Sequence, residues 1–250
     1  MKAMILAAGR GKRMRPLTDR IPKPLLPIAG RSLIVHLIHR LVREGYRDLV
    51  INIAYKGNHI ETALGNGTAF GARIRYSRES PAALDTGGGI LNALPLLGAD
   101  PFLVINGDIW TDYPFSRLSA PPPPGLAHLV LVPNPPHNAY GDFGLLPEGI
   151  TALDRDTLPG SGLPAREASR PPHARFRLSN HQGERLTFTG MGVYRPALFS
   201  DCEPGKFPLG PILRRAVDAG QVTGERYTGE WQDIGTPARL RLLSSLFEGR

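Results

Sequence analysis

Two rhythms of apolar positions alternate along the first half of the chain. Met4-Ile-Leu-Ala-Ala8 is a short unbroken apolar run, the pattern of a strand buried on both faces. Leu33, Ile34, Leu37, Ile38, Leu41 and Val42 then recur at helical spacing. Ser32 is placed to cap that helix and Gly45 to end it. Residues 49–53 predict a second strand, 59–64 a helix, 73–76 a third strand and 88–94 a further helix. Residues 102–105 predict another buried strand, running into Asn106-Gly-Asp108. Strands alternating with helices predict an α/β fold in which a parallel sheet is covered on both faces. In such sheets ligands bind at the carboxyl ends of the strands, where the segment after Ala8 and Asp108 both fall.

The second half is less regular. Pro121 to Pro124 belong to a stiff linker over 119–124. Strands are predicted over 126–132, 142–146 and 186–189, the last continuing from Gly190 to Tyr194. Residues 154–177 are rich in Pro, Gly, Ser and Arg and read as a mobile insertion. Helices are predicted over 211–219 and 236–247, the second opening on Thr236-Pro237 as cap and first-turn proline. No internal repeat is visible, so 1–250 is expected to form a single domain carrying that insertion.

Composition narrows the classes. A single cysteine, Cys202, leaves no internal disulfide and no cysteine metal site. No stretch approaches the ~20 apolar residues of a membrane span, and the first apolar run is too short for a signal-peptide core. The expectation is a cytoplasmic protein without a membrane partner. Lys and Arg exceed Asp and Glu by 30 − 22 = 8, which suits a polyanionic partner of some kind. The cations cluster in Arg10-Gly-Lys12-Arg13-Met-Arg15, inside a glycine loop. That favours phosphate over a broad nucleic-acid face, and no zinc-finger spacing, RNP-like aromatic motif or basic region with heptads is present.

The loop reads Gly9-Arg-Gly11-Lys12-Arg13-Met-Arg-Pro16-Leu-Thr18, then Pro22-Lys23-Pro24-Leu. Glycines let backbone N–H groups approach a phosphate, and Lys and Arg add charge-assisted hydrogen bonds. A Walker A loop is excluded, because one residue rather than four separates Gly9 from Gly11-Lys12. A dinucleotide fingerprint is excluded too, because Met14 stands where its third glycine belongs and the prolines oppose the helix that must follow. The loop is expected to be long, extended and basic.

These residues resemble the signature of the sugar-phosphate nucleotidyltransferases. The likeness continues through Asp85-Thr-Gly-Gly-Gly89, Asn106-Gly-Asp108, Gly190-Met-Gly192 and Trp231-Gln-Asp233-Ile-Gly-Thr-Pro237, so it spans nearly the whole chain outside the insertion. The resemblance implies a Rossmann-like, mixed but mostly parallel sheet flanked by helices, of the glycosyltransferase-A type. It also implies an enzyme that joins a sugar 1-phosphate to a nucleoside triphosphate and releases pyrophosphate. Carried over by motif, Leu6, Ala8, Gly9, Gly11, Lys12, Arg13 and Lys23 bind the nucleotide, with Arg13 and Lys23 catalytic. Thr86, Gly87 and Gly88 close on the base, and Glu79 stands where a base-contacting side chain is often found. Asp108 and Asp233 hold Mg²⁺. Asn106, Gly141, Asp142, Gly190 and Gly192 fall at the sugar-phosphate pocket. On the residues alone other duties stay open: a turn for Asp108, a helix cap for Asp233, hairpin turns and bulges for the glycines.

A sugar phosphate is largely dianionic at neutral pH, its second pKa being near ~6, so no general base is required. The seven histidines are accordingly given no catalytic role. The chain's length and the Thr86-Gly-Gly-Gly form are most similar to members that couple N-acetylmuramate 1-phosphate to UTP in cell-wall recycling. Guanylyl transfer to mannose 1-phosphate, thymidylyl or uridylyl transfer to glucose 1-phosphate, cytidylyl transfer to a non-sugar phosphate such as phosphocholine, and a non-catalytic nucleotide-sugar-binding subunit are the alternatives. The expected partners are these small molecules, without nucleic acid, and the expected state is a monomer or small homo-oligomer.

Overall fold

The computed structural model describes residues 1–119, 125–146 and 176–248. Thirteen strands are present among them. Nine form the main sheet: β1 (Ala3–Leu6), β4 (Asp48–Ile53), β5 (Arg73–Arg78), β6 (Phe102–Asn106), β8 (Ala127–Val132), β9 (Phe143–Leu146), β10 (Phe176–Ser179), β11 (Glu184–Tyr194) and β12 (Val222–Arg226). β2 (Pro27–Ile28) with β3 (Arg31–Ser32), and β7 (Ile109–Thr111) with β13 (Trp231–Asp233), form two small antiparallel ribbons. The helices are α1 (Leu17–Arg20), α2 (Leu33–Arg43), α3 (Gly57–Leu64), α4 (Asp85–Leu97), α5 (Leu209–Asp218) and α6 (Pro237–Glu248). Among the described residues no helix is long and apolar enough to cross a membrane.

The main sheet runs β5-β4-β1-β6-β11-β8-β12-β10-β9. β5, β4, β1 and β6 are mutually parallel, so Leu6, Asn52 and Asn106 line up on one carboxyl edge. β11 then enters antiparallel to β6. β11 also pairs with β9, so the second half closes on itself through β11, β8, β12, β10 and β9. The sheet is therefore mixed, as expected: the first half is parallel throughout, and the second half is antiparallel except where β12 pairs in parallel with β8.

Alternation along each central strand feeds two cores. Ala3, Ile5, Leu49, Ile51, Leu103 and Ile105 meet α2 and α3 on one face. Met4, Val50, Phe102 and Val104 meet α4 and α5 on the other. A third cluster joins Met14, Leu26, Ile28 and Leu33 to Ile234, Leu240 and Leu243. It packs α6 against the basic loop and so brings the two ends of the described chain together.

Several expectations change in detail. The basic loop is not extended: 3-10 turns form at Lys12–Met14 and Lys23–Leu25, with α1 between them. Proline forbids a long helix but sits comfortably in the first turn of a short one. Ser32 lies at the start of α2 but makes no capping hydrogen bond from its side chain. The hairpin β2–β3 sets the entry of that helix instead, with the Leu33 N–H donating to the Leu26 carbonyl at 3.0 Å. α4 continues past Pro95 for two residues, because near a helix end one lost N–H matters little. The predicted linker over 119–124 lies outside the described residues apart from Ser119, and the predicted insertion apart from Phe176 and Arg177. Those two are the start of β10, an unforeseen strand.

Candidate active site

The site lies on the carboxyl edge of the parallel strands. β1 ends at Leu6, and the Ala7 N–H is taken by the Asn52 Oδ1 at 2.7 Å. Ala8 is buried, and the chain surfaces at Gly9, where an added Cβ would meet nothing within 4 Å. Gly11 has φ +65°, and a Cβ there would fall 3.0 Å from Thr18 and 3.2 Å from Lys23. Its carbonyl accepts from the Met14 N–H and from the Thr18 hydroxyl. Thr18 in turn receives Arg10, whose guanidinium lies 3.7 Å over the Tyr55 ring. These contacts hold the loop while the Lys12 and Arg13 side chains stay exposed, with no hydrogen-bond or ion-pair partner among the described residues.

Lys23, by default a solvated loop residue, is only 9% exposed. Its ammonium pairs with Asp108. A nearly buried cation needs such a partner. Asp108 follows β6 through a tight turn: the Gly107 N–H donates to the Leu6 carbonyl at 2.9 Å, and a Cβ on Gly107 would lie 2.7 Å from that oxygen.

Asp233 reaches the same place through the ribbon β7–β13, in which it stands opposite Ile109. The Ile234 N–H donates to the Asp108 carbonyl at 2.7 Å. Two aspartates 125 positions apart in the chain (233 − 108) thus stand on adjoining, hydrogen-bonded backbone segments. Asp233 is held by Arg239 from α6 and by the His137 Nε2 at 3.0 Å. Neither residue was singled out by the sequence; the contact places His137 beside Asp233 without giving it a catalytic role. No spacing signal announces either one, because His137 arrives from a loop of the other half of the sheet.

Asn106 ends β6 facing a bulge in β11. Thr187 and Phe188 pair with Val132 and Leu131, and the register then jumps to Gly192 opposite Leu129. The Thr189 hydroxyl holds the bulge, donating to the Val130 carbonyl and accepting from the Met191 N–H. Gly190, at φ +78°, sits so close to Asn106 that a Cβ would lie 2.3 Å from its Nδ2. Gly192 is a close-packed strand position, where a Cβ would meet the His128 carbonyl at 2.8 Å. Gly141 is a turn residue at φ +62°, and its neighbour Asp142 accepts from the Phe188 N–H at 2.8 Å and from Asn138 at 3.0 Å. Asp142 therefore braces the loop that delivers His137.

Glu79 is buried, accepting from Asn52 at 2.6 Å and from the Leu84 N–H at 2.6 Å. Burial raises its carboxyl pKa, against the lowering effect of those two donors. Gly89 covers the pair, and a Cβ there would lie 2.5 Å from Glu79 Oε1. Gly87 and Gly88 serve packing: both N–H groups donate to the Phe207 carbonyl, and a Cβ on Gly88 would strike the Gly205 carbonyl at 2.1 Å. The Thr86 hydroxyl accepts from the Leu209 N–H at 2.9 Å. These residues bind α4 to the segment entering α5, so they lie beside Glu79 rather than on the basic loop.

A glycine-rich cationic loop beside two aspartates on adjoining segments is an arrangement for handling phosphates. Comparison with known proteins agrees. Residues 2–142 match the family model described as nucleotidyl transferase, and the chain belongs to that family. It is 45% identical to the N-acetylmuramate alpha-1-phosphate uridylyltransferase of Neisseria meningitidis serogroup B, over 98% of each chain. It is 33% identical to the protein of the same name from Caulobacter vibrioides, over 98% of this chain and 97% of that one. A Bacillus anthracis structure assigned as a glucose-1-phosphate thymidylyltransferase shares the fold, with a TM-score of 0.74 at 20% identity over 98% of this chain and 94% of that one. The protein is an enzyme of the nucleotidyltransferase class.

Proposed function

We propose that the protein couples N-acetylmuramate 1-phosphate to UTP, forming UDP-N-acetylmuramate and pyrophosphate. The similarity to two N-acetylmuramate alpha-1-phosphate uridylyltransferases along almost their whole length supports the substrate pair. The observation that carries the chemistry is the pairing of Lys23 with Asp108 on a segment whose backbone is bonded to the one that carries Asp233, beside the basic loop. In this reading a phosphate oxygen of the sugar 1-phosphate attacks the α-phosphorus of UTP. A new P–O bond forms, the bond from the α-phosphorus to the bridging oxygen breaks, and pyrophosphate leaves with the electron pair. No proton need be removed from a dianionic nucleophile. The difficulty is bringing two anions together, and catalysis is positioning and charge stabilisation.

Each residue has a part on this reading. The backbone at Gly9 and Gly11, with Lys12 and Arg13, cradles the triphosphate. Lys23 leaves Asp108 for the reacting phosphates. Glu79, beside Asn52 at the end of β4, edges the base pocket with Thr86, Gly87 and Gly88 closing behind it. Asn106 and the bulge at Gly190 border the sugar phosphate, with Gly141, Asp142 and Gly192 shaping the wall. Asp108 and Asp233 suit Mg²⁺, which prefers one or two carboxylates completed by water and phosphate oxygens. Among the described residues no cluster of three or more His, Cys, Asp or Glu offers a closed metal cage instead. Once bound, Mg²⁺ supplies neutralisation of the charge that develops on the phosphates. Substrates of this kind place the enzyme in the cytoplasm.

The test is pyrophosphate release with Mg²⁺, crossing UTP, dTTP, GTP and CTP with N-acetylmuramate 1-phosphate, glucose 1-phosphate, mannose 1-phosphate and phosphocholine. Release is expected with UTP and N-acetylmuramate 1-phosphate, and EDTA is expected to abolish it. Turnover of another pair in preference would discard the proposed substrates.

A further inference from the structure

Arg239 is used in an unusual way. Its Nη1 alone contacts both carboxylate oxygens of Asp233, while its Nη2 and Nε make no hydrogen bond among the described residues. Beside it stands Arg13, whose guanidinium has no partner among the described residues. A Cβ placed on Gly235 would lie 3.2 Å from Arg239 Nη1, 3.4 Å from Arg13 Nη1 and 2.9 Å from Asp233 Oδ2. The glycine leaves a small space into which two guanidinium groups and one carboxylate converge. Two like charges at such a distance repel, and one carboxylate neutralises only one of them. Guanidinium forks match phosphate oxygens, offering several donors in one plane. The placement is fixed by packing: Met14, next to Arg13, and Leu240, next to Arg239, lie in the same buried cluster.

From these contacts we infer that Arg239 and Arg13 together form the receptor for the leaving pyrophosphate, with Arg239 moving from Asp233 to the phosphates. The inference rests on the proposed nucleotidyl transfer. Asp233 serves as the resting counter-ion of Arg239. When a divalent cation takes that carboxylate, the guanidinium is displaced, next to Arg13 and on the side where the triphosphate arrives. The charges support this. Lys23, Arg13 and Arg239 against Asp108 and Asp233 leave one net positive charge before ligands enter. That set is prepared for an anion carrying more charge than its metal.

Magnesium pyrophosphate is the probe, titrated calorimetrically into wild type, Arg239→Gln and Arg239→Lys, with uridine as a phosphate-free control. Arg239→Gln is expected to weaken pyrophosphate binding by about ten- to a hundredfold, the range for a hydrogen bond to a charged group. Arg239→Lys should be intermediate, since it keeps the charge without the fork. Uridine binding should not change. Mn²⁺ titrated alone should bind Arg239→Gln as tightly as wild type or more tightly, because a competing cation has left Asp233. A residue that merely positioned Asp233 would give the opposite result. Weaker Mn²⁺ binding in step with weaker pyrophosphate binding would overturn the inference, as would pyrophosphate binding equal to wild type. Failure of the wild-type protein itself to bind magnesium pyrophosphate would instead sink the proposed function.

Discussion

The two halves of the sheet treat charge differently. On the parallel side, cations stand at the edge with unused donors: the side chains of Lys12 and Arg13 have no partner among the described residues, and Lys23 holds a carboxylate of the site. On the antiparallel side, polar groups are bonded to one another. Asp142, Asn138, Thr187 and Asn134 are linked in a chain of hydrogen bonds, and Arg185 spends its guanidinium on the carbonyls of Tyr140, Gly141, Asp142 and Asn180. A buried glutamate in each half shows the same contrast. Glu79 faces an amide and a backbone N–H, and burial raises its pKa. Glu225 is also pushed up by burial, but the His128 imidazole and Tyr113 hydroxyl outweigh that and hold its pKa below the usual range. One side keeps its electrostatic demand open for a ligand, whereas the other has satisfied it internally and serves as a scaffold.

The largest effect should come from the open side. Asp108→Asn is expected to lower kcat by roughly 10²–10³-fold, the scale of removing one preorganised charge-stabilising group. Pyrophosphate release, with circular dichroism to show an intact fold, measures it. A loss of only a few-fold would break the assignment of the reacting side.

A substitution on the closed side should act on stability first. Asp142→Ala leaves the Phe188 N–H without its acceptor, and should cost about 1–3 kcal/mol in denaturant unfolding. Nucleotide binding by the folded fraction should persist. Parallel loss of nucleotide affinity would show that the two sides are not separable.

The smallest effect separates the glutamates by pH. A carboxylate whose folded pKa is lowered contributes stability above its unfolded pKa and loses it as pH falls through the folded value. Glu225→Gln should therefore flatten the acid limb of the stability curve, below about pH 4.5, the ordinary glutamate value. Glu79 has the opposite sign: its contribution is complete below the unfolded pKa and fades as pH rises through the raised folded one. Glu79→Gln should remove that pH-dependent loss, while its amide NH2, set against the donor of Asn52 or Leu84, lowers stability by a similar amount at every pH. Matching pH profiles for the two variants would refute the contrast.

Much of this was legible in the chain. The apolar runs at 4–8 and 102–105 and the helical spacing from Leu33 to Val42 mark elements that exist, because periodicity reports burial directly. The prolines excluded a long helix after Gly11 but did not disclose the helical turns, which depend on Met14 and Leu26 finding a common core. Thr86, Gly87 and Gly88 are expected by resemblance to close on the base, and what the sequence does not disclose is that Gly87 and Gly88 also lie against Phe207 and Gly205. Glycine marks a close approach without naming what approaches.

By itself the sequence determined the alternation of strands and helices, the basic glycine loop after β1 and a carboxylate just past β6, since these depend on local sterics and on which residues must leave water. It also carried enough motif to indicate the family. Only the tertiary structure decided what stands next to Asp233. The β7–β13 ribbon set it against Asp108, α6 brought Arg239, and the loop braced by Asp142 brought His137. Such neighbours come from strand pairing and core packing between segments far apart in the chain, and no local pattern records them.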